Sequence, residues 1–226
     1  GKVLEKLKRF NEAIESYSIT LTLDDPTSYA LLRIGKCHEK TGNKAEALEF
    51  YQRCIHEDAL LDKGWIAIID YYYKEKNYQK ALHNAEKALT IDTENVQYWK
   101  RYAKINHKLN HLEEAEMGYR KALELGNYEF DSWITRGDLL TRLGEYEAAI
   151  TNFQQALEFY PEHPELEFRL SGLFFSLRNS QRGEFYLKKA LEREPEFLII
   201  IEELFPLVYR MKKVKQIVAQ HEKSSS

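Results

Sequence analysis

The chain has no apolar run that approaches the roughly 20 residues a helix needs to span a membrane, and no secretory signal peptide is visible. Its net charge of −3 is too close to zero to attract nucleic acid by bulk charge. Only ten glycines and five prolines interrupt the 226 residues, of which 31% are charged. This composition predicts an all-helical protein without a membrane span or a nucleic-acid partner, which we expect in the cytoplasm.

Signals of catalysis are equally scarce. The chain contains no Gly-rich phosphate loop and no nucleophile motif. The acid pairs Glu113–Glu114 and Glu202–Glu203 are adjacent on predicted helices, so their side chains point about 100° apart and do not converge. We therefore predict no catalytic residues, no cofactor and no enzymatic activity in this chain.

Candidate metal and redox residues are few. Cys37 and Cys54 occupy core-type positions, which predicts two small buried hydrophobic side chains; a disulfide or a metal pair is the alternative. His107 and His111 are four residues apart, a spacing that can hold zinc on one helical face. However, His111 falls in an expected turn and the pattern supplies no third ligand, so we predict no metal site.

What the chain does have is a small residue that returns every 34 positions. The series consists of Ala13, Ala47, Ala81, Ala115, Ala149 and Gly183, and a second series runs beside it with Cys54, Ala88, Ala122, Ala156 and Ala190. A fixed period in this range indicates stacked supersecondary units. Small residues let two antiparallel helices approach closely, while an aromatic side chain of the neighbouring helix fills the remaining space.

Other positions repeat with the same period. Counted from Ser28 as position one, position four carries Leu31, Trp65, Trp99 and Trp133, and position eight carries Gly35, Ala103, Gly137 and Ser171, with Ile69 as the exception. Position 24 carries Tyr51, Tyr119, Phe153 and Leu187, with Ala85 in one unit. The pattern resembles the tetratricopeptide repeat over essentially the whole chain. The resemblance implies an all-α, right-handed superhelical solenoid of antiparallel helix pairs, in which the first helix of each pair lines a concave groove.

The register predicts one solenoid over residues 1–223. It comprises a partial repeat at 1–27, full repeats at 28–61, 62–95, 96–129, 130–163 and 164–197, an irregular terminal repeat at 198–223, and a tail at 224–226. Turns between paired helices are predicted near Gly42, Lys76, Asn110, Gly144 and Asn179. Pro206 falls inside the first helix of the terminal repeat and predicts a kink there. Because residue 1 falls in the middle of a repeat, we expect the chain to be a piece of a longer protein.

The predicted groove is polarised. In the units that begin at residues 28, 62 and 96, the groove-facing positions carry seven lysines and two acids: Lys36, Lys40, Lys63, Lys74, Lys100, Lys104 and Lys108 against Glu39 and Asp70, with Tyr73 among them. In the next two units the same positions carry Asp131, Asp138, Glu165 and Arg142 together with Ile134, Phe168 and Phe175, and Tyr209 follows in the last unit. Lysines would steer an acidic peptide and the apolar residues would anchor it. The alternative is a solvated lysine face, with Phe168 and Phe175 packed against the next hairpin.

We predict a non-catalytic scaffold that binds a protein or peptide partner with acidic residues in this groove. Two alternatives are open: presentation of substrate to a catalytic domain outside this chain, and self-association through the apolar stretch 197–205 of the C-terminal repeat. Chaperone-binding members of the family hold a C-terminal carboxylate with Lys and Asn side chains at set positions. The first of three candidate sets reads Leu32, Lys36, Ala67, Gln97 and Arg101. None of the three sets matches, so we predict no such clamp.

Overall fold

A computed structural model describes residues 1–22 and 27–225, and within those ranges every regular element is helical. The chain divides into two compact units, Gly1–Glu114 and Ala115–Ser226. The predicted all-α fold of helix pairs is confirmed within each unit. None of the helices in the described part of the chain is long and apolar enough to cross a bilayer.

The first unit is a series of helix pairs. Its helices are α1 (Lys2–Lys6), α2 (Phe10–Thr20), α3 (Thr27–Thr41), α4 (Lys44–Glu57), α5 (Asp62–Lys74), α6 (Tyr78–Ile91) and α7 (Val96–Leu109). Helices α1 and α2, α3 and α4, and α5 and α6 pack as hairpins, and each second helix also packs on the first helix of the next pair. Helix α8 (Leu112–Glu124) contains the boundary between the units.

The second unit continues the same pattern and ends irregularly. Its helices are α9 (Phe130–Leu143), α10 (Tyr146–Phe159), α11 (Pro164–Ser176), α12 (Ser180–Arg193), α13 (Ile199–Leu204), α14 (Pro206–Tyr209) and α15 (Lys212–Ser225), with a 3-10 turn at Pro195–Leu198 before α13. Helices α9 and α10 form one hairpin, and α11 and α12 form the next. The first helices of the full repeats begin at Thr27, Asp62, Val96, Phe130 and Pro164, within one residue of the predicted starts.

The turns inside the hairpins share one backbone device. One or two positions after the end of each first helix, a residue adopts a positive φ, between 57° and 86°. It recurs every 34 positions, at Lys8, Gly42, Lys76, Asn110, Gly144 and Arg178. The next residue then donates its N–H to a carbonyl five positions earlier, as Asn43 does to His38 and Glu145 does to Leu140, both at 2.9 Å. This left-handed cap satisfies helix-end carbonyls that would otherwise lack a donor. The predicted turn positions are confirmed, with Arg178 rather than Asn179 as the left-handed residue in the last pair.

The small residues of the repeat mark where paired helices approach most closely. Ala13, Ala47, Ala81, Ala115 and Ala149 are all fully buried. Gly35 in α3 faces Tyr51 in α4, because a Cβ added to Gly35 would lie only 2.6 Å from the tyrosine ring. The α3–α4 pair therefore packs a small residue of one helix against an aromatic ring of the other.

The terminal repeat breaks at its proline, as predicted. Helix α13 ends at Leu204, and Phe205 has φ −131° and ψ 57°, outside the helical region, before α14 starts at Pro206. Proline removes a backbone donor and crowds the preceding turn, which accounts for the break. In the apolar stretch before it, Ile200 and Ile201 are buried in the core and Ile199 is 47% exposed.

Candidate functional site

The predicted groove lysines of the first unit lie on three successive first helices. Lys36 and Lys40 belong to α3, Lys63 and Lys74 to α5, and Lys100, Lys104 and Lys108 to α7. Lys36 and Lys100 are half-buried and the others are exposed. The lysines that line cavities occur in two places, which are described in turn.

A cavity of about 730 Å³ lies at the N-terminal end of this row and is termed here the basic cavity. Its lining holds six cationic side chains, those of Lys6, Lys8, Arg33, Lys36, Lys40 and Lys74, against the carboxylates of Glu5 and Glu39. Phe10 and Cys37 complete the wall. Positive charge therefore exceeds negative charge by four in this cavity.

Both carboxylates of the basic cavity are already engaged. Glu5 of α1 accepts hydrogen bonds from both Nε and Nη2 of Arg33 in α3, and Glu39 accepts from Lys74 of α5 and from the Tyr51 hydroxyl. Burial alone would raise the pKa of the Glu39 carboxyl, but the Lys74 and Tyr51 hydrogen bonds outweigh burial, so its pKa lies below the usual value.

Lys36 and Lys40, in contrast, form no ion pair with an acidic side chain among residues 1–22 and 27–225, although the charge of Lys40 helps to lower the pKa of Glu39. The basic cavity therefore contains two ammonium groups without an ion-pair partner, and its two carboxylates, Glu5 and Glu39, are already paired with Arg33 and Lys74. Such a cavity attracts negative charge, and attraction in a concave site exceeds that at an open surface.

A smaller cavity of about 210 Å³ lies between α5 and α7. Tyr73, Lys100 and Lys104 line it, so the structure brings these three predicted residues together. Asp70 and Arg101 close one side through a two-pronged ion pair, with Nε–Oδ1 and Nη2–Oδ2 distances of 2.8 and 2.9 Å. Lys63 and Lys108 are exposed but line neither cavity.

The Arg101–Asp70 pair recurs in the second unit. Arg169 of α11 binds Asp138 of α9 in the same two-pronged way, at 2.8 and 3.1 Å. In both cases the arginine lies 31 residues after the aspartate and links the first helices of successive hairpins. The groove-facing positions of the sequence predict these aspartates as free groove charges, whereas the structure pairs both of them with arginines. The recurring Asp–Arg spacing was the signal that they are paired.

The apolar half of the predicted groove is wrong for two of its residues. Phe168 and Phe175 are 0% and 2% exposed and belong to the core of the second unit. The physical reason is visible at Gly183 of α12, where an added Cβ would lie 2.7 Å from the Phe175 ring. Helix α11 packs on neighbours on several sides, so its aromatic residues are enclosed. Ile134 and Tyr209 are half-buried against the same core.

The two cysteines are core residues. Cys37 and Cys54 are free thiols with 1% and 0% exposure, and burial raises the pKa of each to about 11. Thiols with such values remain protonated at neutral pH and are poor nucleophiles. His111 Nδ1 lies 3.1 Å from Asn106 Oδ1. Over the described ranges no cluster of three or more His, Cys, Asp or Glu side chains is arranged to hold a metal ion.

Comparison with family models decides what kind of repeat this is. Tetratricopeptide repeat models match residues 130–163, which contain the α9–α10 pair, and residues 29–66, which span the α3–α4 pair and the start of α5. These two stretches of the chain are therefore tetratricopeptide repeats. Such repeats support a protein-interaction scaffold in general.

Individual relatives are distant. The chain is 26% identical over 174 residues to DnaJ homolog subfamily C member 7 of Mus musculus, covering 71% of this chain and 35% of that protein. It is 26% identical over 177 residues to the human protein O-mannosyl-transferase TMTC1, covering 76% of this chain and 20% of that protein. The chain thus spans about a third or less of the length of these two curated relatives.

Among solved structures, the chain is similar to YrrB, described as a TPR protein with an unusual peptide-binding site. The TM-score is 0.69 at 18% sequence identity, with 84% of this chain and 97% of that chain covered. At this identity the likeness shows the fold of the repeats and nothing finer.

Proposed function

We propose that the first unit binds an acidic segment of a partner protein on the surface formed by its first helices. The observation that carries this proposal is the basic cavity, in which Lys36 and Lys40 form no ion pair while the neighbouring carboxylates are held by Arg33 and Lys74. Binding is non-catalytic: the lysines attract and orient the partner, and the fixed Arg33–Glu5 and Arg101–Asp70 pairs keep the helices in place.

The partner class follows from charge and shape. An ammonium group surrounded by other cations is best compensated by the carboxylates of an extended Asp- or Glu-rich segment, which can bring several charges to one cavity. Lys104 in the smaller cavity extends the same row of positive charge along α7. Phe168 and Phe175 are buried and cannot contact a partner. Recognition therefore rests on the attraction between the lysines of this chain and acidic residues of the partner.

The comparisons support protein binding in general, and the residues of this chain argue against a chaperone-tail clamp. DnaJ homolog subfamily C member 7 is a relative by sequence. However, Leu32 and Ala67 stand where clamp-forming repeats place Lys and Asn, and they are 1% and 8% exposed. An internal acidic segment therefore fits this surface better than a terminal carboxylate does.

A charge-reversal experiment tests the proposal. The double variant Lys40→Glu with Lys104→Glu should weaken binding of a fluorescein-labelled Glu-rich peptide at least tenfold, because two attractive charges become repulsive. Wild-type binding should also weaken as salt is raised, since charges are screened over about 10 Å at 0.1 M salt. Fluorescence anisotropy measures both effects.

The matched control reverses two exposed cations on second helices of the same unit, Arg53→Glu with Lys87→Glu. This control changes net charge equally and should leave affinity within about twofold, while a Gln-rich version of the peptide should not bind. Equal losses in the two double variants would show that bulk charge, not the basic cavity, binds the peptide.

A role inside a larger enzyme is the second proposal. TMTC1 is named as a mannosyl-transferase, and the chain matches only 20% of it. Repeats of this kind could present a protein substrate to a catalytic domain elsewhere in a longer chain. The proposal for the basic cavity is the same in either setting, because the repeats would still bind protein.

Self-association through the terminal repeat is the third proposal, and exposed apolar side chains motivate it. Ile199, Leu204 and Leu207 are 47%, 40% and 77% exposed on α13 and α14. Sedimentation equilibrium should then report a mass that rises with concentration and returns to 26.7 kDa, the monomer mass, in Leu207→Asp. A wild-type mass that stays at the monomer value over the whole concentration range would end this proposal.

A further inference from the structure

A third cavity, of different chemistry, lies in the second unit, between α8, α10 and the start of α9. Its volume is about 390 Å³, within the range of small-molecule and side-chain sites, and three aromatic rings line it. The Tyr128 and Phe159 rings stack with centroids 4.4 Å apart, and the Trp133 ring stacks on Phe159 at 5.8 Å. We refer to it as the aromatic cavity.

Two of these rings are left open to solvent. Tyr128 is 46% exposed and Phe159 is 47% exposed, whereas Trp133 is 4% exposed beneath them. Large apolar rings that remain accessible around a concave surface are typical of sites where another molecule packs.

The Trp133 indole also lacks the hydrogen bond that its repeat equivalents make. Trp65 Nε1 donates to the Ala59 carbonyl at 2.9 Å, and Trp99 Nε1 donates to the Thr93 carbonyl at 2.8 Å, in each case six residues back. Trp133 Nε1 is buried and has no acceptor among the described residues. A buried N–H group without an acceptor destabilises the folded protein, so a ligand that supplied an acceptor here would gain binding free energy.

The missing bond has a local cause in the loop before α9. Gly126 takes a φ of 95°, and Asn127 donates its backbone N–H to the Ala122 carbonyl at 2.9 Å. The Asn127 side chain is buried and donates to the Ser132 hydroxyl at 2.9 Å. The backbone of this loop therefore differs from that of the loops before α5 and α7. In those two loops the residues that follow α4 and α6, Asp58 and Asp92, are extended.

The wall of the aromatic cavity departs from the repeat at three positions. At the position of Tyr128 the other full repeats carry Leu60, Glu94, Glu162 and Glu196. At the position of Phe159 they carry Glu57, Ile91, Leu125 and Arg193, and at the position of Arg136 they carry Ile34, Ile68, Tyr102 and Leu170. The scaffold alone does not require these side chains, since the other units fold without them.

Arg136 adds a second oriented donor group. Its Nε donates to Glu116 at 2.8 Å and its Nη1 to Asn152 at 3.2 Å, and Asn152 in turn donates to the Trp133 carbonyl at 2.8 Å. No acceptor for Arg136 Nη2 occurs among the described residues. The cavity therefore combines apolar rings with two anchored donors that lack acceptors.

We propose that the aromatic cavity is a second peptide-binding site, which takes one large apolar side chain of an extended segment of a partner protein. The side chain packs on Tyr128 and Phe159, and main-chain carbonyls of the segment accept from Trp133 Nε1 and Arg136. An extended peptide fits because it carries a carbonyl acceptor on each side of every side chain.

Charge separates this site from the basic cavity. Arg120 and Arg136 balance Glu124 and Glu158 in the lining, so the aromatic cavity is neutral as a whole. Binding here should consequently respond weakly to salt, whereas binding in the basic cavity should weaken strongly.

Indole NMR tests the site directly, because the chain has only three tryptophans and each gives one indole N–H peak. The probe is N-acetyl-phenylalanine methylamide, which is uncharged and carries one aromatic side chain between two carbonyl groups. Titration should move the Trp133 peak, assigned by its loss in Trp133→Phe, to a saturating shift. The Trp65 and Trp99 peaks, whose donors are already paired, should stay in place.

Two comparisons make the result specific. N-acetyl-glycine methylamide, which lacks the side chain, should need at least tenfold more probe for the same shift. Tyr128→Ser with Phe159→Ser should weaken the phenylalanine probe at least tenfold, with unchanged Trp65 and Trp99 peaks as evidence of an intact fold. Phe159→Leu, which keeps an apolar contact, should retain binding.

Several outcomes would overturn the site. A Trp133 peak that exchanges rapidly with water and ignores the probe would mean that solvent satisfies the indole. Equal movement of all three peaks, or an unchanged shift in the Tyr128 and Phe159 double variant, would mean that the probe does not bind in this cavity. Lys40→Glu with Lys104→Glu should have no effect on the Trp133 shift.

Discussion

Gly137→Ile should destabilise the second unit by about 1–3 kcal/mol or more, because the site has no room for a side chain. A Cβ at Gly137 would overlap the Phe153 ring, and Phe153 is fully buried and cannot move aside. Overpacking a core forces side chains off their preferred rotamers and shifts the backbone. Urea unfolding followed by far-UV circular dichroism measures the loss.

The repeat itself supplies the compensating change. At the two equivalent positions, α5 carries Ile69 and α6 carries Ala85, both fully buried in one cluster. Phe153→Ala alone should cost about 3–5 kcal/mol through the cavity it leaves. The double variant Gly137→Ile with Phe153→Ala should therefore be more stable than the sum of the single losses predicts. Additive losses would show that these two residues do not share one packing site.

The same residues show how much of the fold is predictable. Ile69 and Ala85 each look like an exception when a single repeat position is tabulated, yet they lie in one buried cluster of a unit with the ordinary hairpin. The period of 34 residues predicted the hairpins and their turns because each repeat presents the same spacing of small and large side chains. Those contacts form within one 34-residue repeat, so the repeating pattern is sufficient to predict them.

The binding surface was less predictable, because it depends on which side chains of neighbouring hairpins contact each other. Periodicity placed Lys36, Lys40 and Lys104 on the first helices, but it did not show that Asp70 is neutralised by Arg101. Nor did it show that α11, with neighbours on several sides, encloses Phe168 and Phe175. The position of a residue in the helical repeat predicts the direction in which its side chain points. Whether that side chain is buried depends on which residues of the next hairpin pack against it.

Position four of the repeat offers the sharpest contrast between pattern and packing. Leu31, Trp65 and Trp133 are buried there, but the unit that starts at Pro164 has Glu167, which is 2% exposed. Arg193 of α12 donates Nη1 to both Glu167 oxygens, at 3.1 and 3.0 Å. A buried carboxylate is tolerated only with such a partner, so an acid at an apolar position should have directed attention to a basic residue on the paired helix.

Arg193→Met should cost about 3–5 kcal/mol, since it leaves the Glu167 carboxylate buried without its cation. Burial already raises the pKa of Glu167, although Arg193 opposes the rise, and removing Arg193 should raise this pKa further. A carboxyl with a raised folded-state pKa binds its proton more tightly folded than unfolded, so its contribution to stability falls as pH rises through that pKa. The deficit of the variant relative to wild type should accordingly be largest at neutral pH and shrink on acidification, as urea unfolding at several pH values would measure.

Two further variants separate the buried pair from Arg193's other contact. Glu162 binds Arg193 Nη2 at 2.9 Å but its side chain is 70% exposed, so Glu162→Gln should change stability by about 1 kcal/mol or less. Arg193→Met with Glu167→Leu should recover most of the loss, because Leu31 shows that leucine is accepted at this repeat position and a packed apolar pair can replace a buried ion pair. If the double variant were as unstable as Arg193→Met, the loss would come from the packing of the arginine stem rather than from an unpaired charge.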